Sequence, residues 1–233
     1  MFIVSGVSRG LGRAIVSLLL ERGEKVIGIG RSHKFNHKNF LFIECDLIDI
    51  KAIKRIKFPN LKGQITLINN AGIIGNIKRM SDQKLLDISE VLMVNTVAPA
   101  ELTNLVYNSL DFKQSFRLVN ISSGAADKLI PSWASYCASK ASLNIITEAF
   151  FLEEREKGNN IVAYSVSPGV IETDMQKKIR QTERKNFSLV DKFIGYKKNN
   201  QLLSSFEAAE RLLILLNTPF NGEVKVDLRN LQE

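Results

Sequence analysis

Short apolar runs alternate with helical stretches along this chain, and few folds accept that order. Residues 2–5 read as a strand, and residues 10–22 then place Leu11, Ala14, Ile15, Leu18 and Leu19 on one helical face. Further strands are expected at 25–29, 40–43, 65–68, 116–121, 161–166 and 223–227, with helices at 82–86, 90–108, 132–157 and 207–216 and one more after Thr173. Runs such as Ile65-Thr66-Leu67-Ile68 are nearly all apolar, the pattern of strands covered by helices on both faces. Strand–helix–strand order implies parallel pairing, because each crossover helix packs back on the sheet with a right-handed connection. The expected fold class is α/β: a doubly wound parallel sheet of about seven strands, in a single domain over residues 1–233.

No Gly/Ser/Pro-rich linker, internal repeat or low-complexity tract divides the chain. At 233 residues, 45% hydrophobic and 24% charged, the composition is that of an ordinary globular domain, which excludes disorder, collagen and coiled coil. A chain of this length buries about 70% of the surface its unfolded form exposes, so its core needs neither disulfide nor structural metal. Cys45 and Cys137 are too few for a disulfide framework. With no secretory leader in the sequence, they read as reduced thiols of a cytoplasmic protein. The longest apolar runs, such as 212–216, fall far short of the roughly 18 residues of a membrane span, so no membrane partner is expected.

The 32 basic and 24 acidic side chains leave a net charge of +8, which favours phosphate-bearing ligands. Segments 31–62 and 173–200 each carry eight Lys or Arg against three acids. Neither shows a zinc-finger, RNA-recognition or basic-zipper pattern, so no nucleic-acid partner is expected. The polar stretch at about 173–204 reads as a mobile flap over a site.

The first strand-to-helix turn is Ser5-Gly6-Val7-Ser8-Arg9-Gly10-Leu11-Gly12. A dinucleotide needs such a turn: glycine lets the backbone approach the pyrophosphate, and the following helix offers free amides and a positive dipole. A tight structural turn would use the same glycines. Further along, Tyr136 and Lys140 stand four apart in an expected helix and share a face, with Ser123 thirteen residues before the tyrosine. An ammonium beside a phenol is expected to lower the Tyr136 pKa from about 10 and suit it as a general acid for carbonyl reduction.

Taken together these segments resemble the short-chain dehydrogenase/reductase family, whose turn is T-G-x-x-x-G-x-G and whose catalytic helix carries Y-x-x-x-K. The resemblance spans nearly the whole chain and includes Asn69-Asn70-Ala71-Gly72, Asn95, Ser123, and Pro168-Gly169 followed by Thr173, in the family's order. It implies a Rossmann-like fold in which Tyr136 protonates the nascent alkoxide and Ser123 hydrogen-bonds the carbonyl oxygen. Lys140 would tune Tyr136 and bind the nicotinamide ribose, and Asn95 would hold a water that links Lys140 to solvent. Ser122 is expected as a structural neighbour whose hydroxyl bonds to backbone. The implied cofactor contacts are Gly6, Ser8, Arg9, Gly10, Leu11 and Gly12 at the pyrophosphate and Asn70, Ala71 and Gly72 along the cleft. Pro168, Gly169, Ile171 and Thr173 fall at the nicotinamide end. Asp46 and Leu47 match positions near the adenine, although Asp46 would equally suit a cap on the next helix.

NAD-selective members of the family place an acid after the second strand, where it binds the ribose 2'-hydroxyl. Here Arg31-Ser32 stands there, and Arg31 with Arg9 would bracket a 2'-phosphate, so NADP(H) is the expected cofactor. Within the family, segments 133–141 and 167–176 resemble sepiapterin reductases and bacterial benzil reductases, which implies reduction of a compact vicinal dicarbonyl. Trp133 offers a flat wall for such a substrate. Asp227 matches a substrate-anchoring aspartate, at an interval from Gly222 one residue longer than the family's; an ordinary strand-end acid is the other reading. A 3-oxoacyl thioester or hydroxysteroid reductase and an NADP(H)-sensing regulator are the competing functions. A homodimer or homotetramer is expected from the family.

Overall fold

The computed structural model describes residues 1–111 and 115–231. Among them, seven strands form one sheet: β1 (Phe2–Ser5), β2 (Val26–Gly30), β3 (Phe40–Glu44), β4 (Ile65–Asn69), β5 (Phe116–Ile121), β6 (Ile161–Ser167) and β7 (Lys225–Asp227). Their order is β3-β2-β1-β4-β5-β6-β7, and every neighbouring pair is parallel. The order reverses between β1 and β4, so the chain leaves these two strands in opposite directions and a crevice opens at their carboxyl ends.

Side chains alternate across the sheet, and both faces are apolar. On one face Val4, Ile68, Val119 and Val166 pack under α1 (Gly10–Glu21) and α8 (Ser205–Asn217), with Ile15, Leu19 and Leu212 almost wholly buried. On the other, Ile3, Leu67, Phe116 and Leu118 meet the short α2 (Ile50–Lys54), α4 (Ala98–Tyr107) and the long α5 (Ala134–Glu156). Each such side chain contributes about 1.5–3 kcal/mol on burial, which is why these strands read as continuous apolar runs. No helix among the described residues is long and apolar enough to cross a membrane.

Four elements depart from the sequence reading. The helix expected at 82–86 is a 3-10 turn at Met80–Asp82, and the one expected at 90–108 begins earlier, as α3 (Leu85–Leu92). Between α3 and α4 the chain widens into a π turn, Met93–Val97, with Asn95 at its centre. Pro99 accounts for it: proline has no N–H to bond the carbonyl four residues back, and its ring crowds that carbonyl, here Asn95's. Helix α2 is too short to show a pattern, and only the cap read at Asp46 pointed to it. Its signal is local, because Oδ1 of Asp49 accepts from the amides of Lys51 and Ala52 at 2.9 and 3.1 Å. The segment after Thr173 holds two helices, α6 (Asp174–Arg180) and α7 (Val190–Lys198).

Candidate active site

The crevice runs from the β1–α1 turn to the start of α5. Gly6 takes a left-handed φ of +74°, which lets the chain reverse sharply after β1. Gly12 is required for contact: a Cβ there would stand 2.2 Å from the Gly6 carbonyl oxygen and 2.3 Å from Nδ2 of Asn70. That same Nδ2 donates to the carbonyls of Ser5 and Gly6 at 3.0 and 3.1 Å, tying the turn to the end of β4. Helix α1 begins with no side-chain cap and no acid in its first turn. Its orphan amides and positive dipole end therefore remain available to an anion, as a pyrophosphate requires. The residues present thus fit a dinucleotide.

Nearly all the residues expected to touch cofactor or substrate line this one cleft, from Ser8 and Arg31 through Asn70 and Gly72 to Tyr136, Gly169 and Asp227. Gly12 and Asn95 lie behind its wall. Arg31 is exposed on the cleft and no acid follows β2, whereas Arg9 is already engaged, its Nη1 3.1 Å from Asp174 at the start of α6. Asp46 does not cap α2. It closes its own turn by accepting from the Ile48 amide at 3.3 Å, and the cap is Asp49.

At the other end, α5 presents Tyr136 and Lys140 one turn apart. Ser123 is fixed as the cap of a 3-10 turn (Gly124–Ala126), its Oγ accepting from the Ala125 amide at 3.1 Å, and it lines the cleft beside Tyr136, near enough to favour the phenolate. Extended backbone sends the adjacent Ser122 the other way. Its hydroxyl bonds the Asn144 side chain at 2.5 Å, not backbone as expected, and Ser165 bonds the same oxygen at 2.6 Å. Asn144 sits one turn beyond Lys140 and extends the polar row that the sequence reading stopped at.

The electrostatics invert the expectation for Tyr136. Burial pushes its phenol up, and the nearby Ser123 hydroxyl opposes this only in part. Lys140 does not lower it: its Nζ lies 5.9 Å from the Tyr136 ring centroid and donates to the Ile121 carbonyl at 2.7 Å. Burial pulls Lys140 itself down to about 8. A phenol held up in this way keeps its proton at neutral pH, which is what a proton donor needs.

Lys140→Met has a pH signature. With a folded value of about 8 against an ordinary 10.5, the unfolded wild-type chain binds more protons between those limits. Wild-type stability relative to the variant is therefore flat below pH 8 and rises by about 1–3 kcal/mol as pH climbs to about 10.5. Urea melts of both proteins across that range check it; parallel curves would show that the lysine is not buried.

Asn95 is fully buried in the π turn. Its Oδ1 accepts from the Ile73 amide at 2.8 Å, and its Nδ2 donates to the Ile73 carbonyl at 2.8 Å and to Ser139 Oγ at 3.0 Å. Ser139, which sequence reasoning missed, passes the link on by donating to the Tyr136 carbonyl at 2.7 Å. Trp133 lies edge-on to Tyr136 at 5.7 Å, stacks on Phe187 at 5.4 Å and meets Phe193 at 5.2 Å. The wall expected for substrate is thus largely covered by residues of the 173–204 segment. That segment is also joined across the cleft by Lys178, whose Nζ donates to the Gly75 carbonyl at 2.8 Å.

Comparison with known proteins places this geometry. A family profile described as short chain dehydrogenase matches residues 1–184. A benzil reductase ((S)-benzoin forming) of Bacillus cereus is 33% identical, over 97% of this chain and 98% of its own. A 3-oxoacyl-[acyl-carrier-protein] reductase of Vibrio cholerae is 30% identical over 78% of each chain. Among solved structures, a short chain dehydrogenase/reductase of Saccharomyces cerevisiae superposes with a TM-score of 0.85 at 26% identity, over 98% of this chain and 96% of its own.

Proposed function

The chain belongs to the short chain dehydrogenase family, and from that membership we propose that it is an NADPH-dependent reductase of a compact ketone, a vicinal dicarbonyl of the benzil kind. The observation that carries the reading is that Ser123, Tyr136 and buried Lys140 line the same cleft as the uncapped end of α1. NADPH supplies the hydride when bound. Tyr136 donates its proton to the developing alkoxide, and Ser123 holds the same oxygen by hydrogen bond. Two adjacent carbonyls withdraw electrons from each other, so a dicarbonyl accepts hydride readily.

Gly6, Gly10 and the free amides of α1 would hold the pyrophosphate, Lys140 the nicotinamide ribose, and Arg31 a 2'-phosphate. Arg9 joins Arg31 only by giving up Asp174, and since both partners are exposed that exchange is inexpensive. A side chain at position 72 would project to 3.4 Å from Asn95 Oδ1 and 3.6 Å from Lys140 Nζ. The space that Gly72 leaves suits a water linking the two, through which the proton lost by Tyr136 is restored. Exposed apolar residues on the π turn and α5, Val97, Ile145 and Leu152, support a dimer or tetramer built on these helices.

A 3-oxoacyl reductase is the second reading. The Vibrio relative favours it, but over less of the chain than the benzil reductase relative matches. NADPH consumption against benzil, sepiapterin, a 3-oxoacyl thioester, a steroid ketone and simple aldehydes separates the two. Benzil or sepiapterin is expected to show kcat/KM at least about tenfold above the thioester, a transition-state difference of about 1.4 kcal/mol. Preference for the thioester would reverse the order, and no oxidation of bound NADPH by any carbonyl would leave a sensing protein.

A further inference from the structure

We propose that Arg229 reads the polar end of the substrate and selects an aromatic ketone that carries a carboxylate. The inference rests on the reductase reading and names a substrate class within it. Asp227, at the end of β7, is not a free acceptor. Its Oδ1 takes the Arg229 Nε at 2.9 Å and the Arg229 amide at 3.0 Å, and its Oδ2 takes Nη2. The turn beneath is pinned, with Leu228 wholly buried and its amide bonded to the Ser167 carbonyl at 3.0 Å. The carboxylate therefore serves to aim the guanidinium.

Arg229 lines the cleft. Its stem lies on Gly169, where a Cβ would stand 3.3 and 3.4 Å from Arg229 Cγ and Cδ, next to Pro168 at the reacting end. Among the described residues its Nη1 makes no hydrogen bond, and the side chain is 55% exposed. Lys128 is near enough to help hold the Asp227 carboxyl down, and Lys192 lies on the same wall. Of the acids there, Glu172 is taken by Arg180 and Lys197, at 2.7 and 3.2 Å. Asp127 and Glu223 stand on the wall and make no ion pair among the described residues. A ligand meets the N–H donors of Arg229 at this turn, while the half-buried Ile130, Leu189 and Tyr196 on the same cleft accommodate an aromatic body. An arylglyoxylate keeps two adjacent carbonyls and adds the charge.

The test compares phenylglyoxylate with its methyl ester, by initial rates with NADPH and by calorimetric binding in the presence of NADP⁺. Wild type is expected to favour the acid in kcat/KM by about tenfold, the worth of one charge-assisted hydrogen bond. Arg229→Gln should lower that ratio about tenfold, chiefly through KM, and Arg229→Lys should restore part of it. Asp227→Asn, which leaves the guanidinium unneutralised, should raise the ratio. Equal treatment of acid and ester by wild type, equal losses for both in Arg229→Gln, or no binding of the acid overturns the proposal. Arg229-dependent binding of the acid without turnover would keep the anion site and sink the reductase reading. Reduction of the ester with no preference for the acid would do the reverse.

Discussion

Tyr136→Phe lowers kcat/KM for ketone reduction by about 10²- to 10⁴-fold, the usual worth of a positioned general acid. The fold should not notice. Tyr136 is 7% exposed, and phenylalanine keeps its edge-on contact with Trp133; Ser123 keeps the Ala125 amide as a partner. The melting temperature should stay within about 2 °C, which at this chain length corresponds to less than about 1 kcal/mol. Rates and melts on the same preparations check both halves. A variant that still turns over within a few-fold of wild type would move the proton donor elsewhere, and Ser123 would be the first residue to examine.

Gly12→Ala is the largest stability change expected. The added Cβ meets a backbone carbonyl at 2.2 Å and the Asn70 side-chain Nδ2 at 2.3 Å; the first cannot swing aside, and the second is held by its own two hydrogen bonds. Helix α1 must back away from β1 and break the two bonds by which Asn70 ties the turn to β4. Overpacking of this kind costs about 2–3 kcal/mol or more, a fall of about 5–10 °C in Tm, and it moves the amides that face the pyrophosphate. Gly195→Ala in α7 is the control. It is also helical, its Cβ meets nothing within 4 Å, and alanine there should add about 0.5–1 kcal/mol. Thermal melts of the two variants with and without NADPH should diverge in sign. Similar small shifts for both would mean that the α1–β1 contact is looser than the geometry states.

Parts of the site that depend on local geometry were legible in the sequence. Tyr136 and Lys140 meet because a helix repeats nearly every four residues, and the seven strands were legible because buried parallel strands are apolar on both sides. Ser123 and Ser122 were harder to separate, since adjacent residues of extended chain differ only in the side they face, and that side is set by what waits there: Tyr136 for one, Asn144 for the other. The direction of the Tyr136 shift was out of reach. It follows from burial, and part of that burial is supplied by Phe187 and Phe193 through Trp133, residues fifty and more positions away. The Arg229–Asp227 pair was within reach, because an aspartate that opens a turn accepts from the amide two residues on and so brings that residue close, but reading Asp227 as an anchor for substrate drew attention from its nearer partner.

The π turn before Pro99 has a consequence for insertions and deletions along this helix. A wide turn holds one residue more than a regular helix needs for the same advance, so a chain shortened by one position between 93 and 97 can tighten towards α-helix, broken only at the bond Pro99 cannot make, while α3 and α4 keep their seating. The casualty is the join between the segment at Ile73 and the catalytic helix, which runs through Asn95 and Ser139. Shortening would leave the scaffold standing but uncouple its two halves at the point where the proposed proton relay runs.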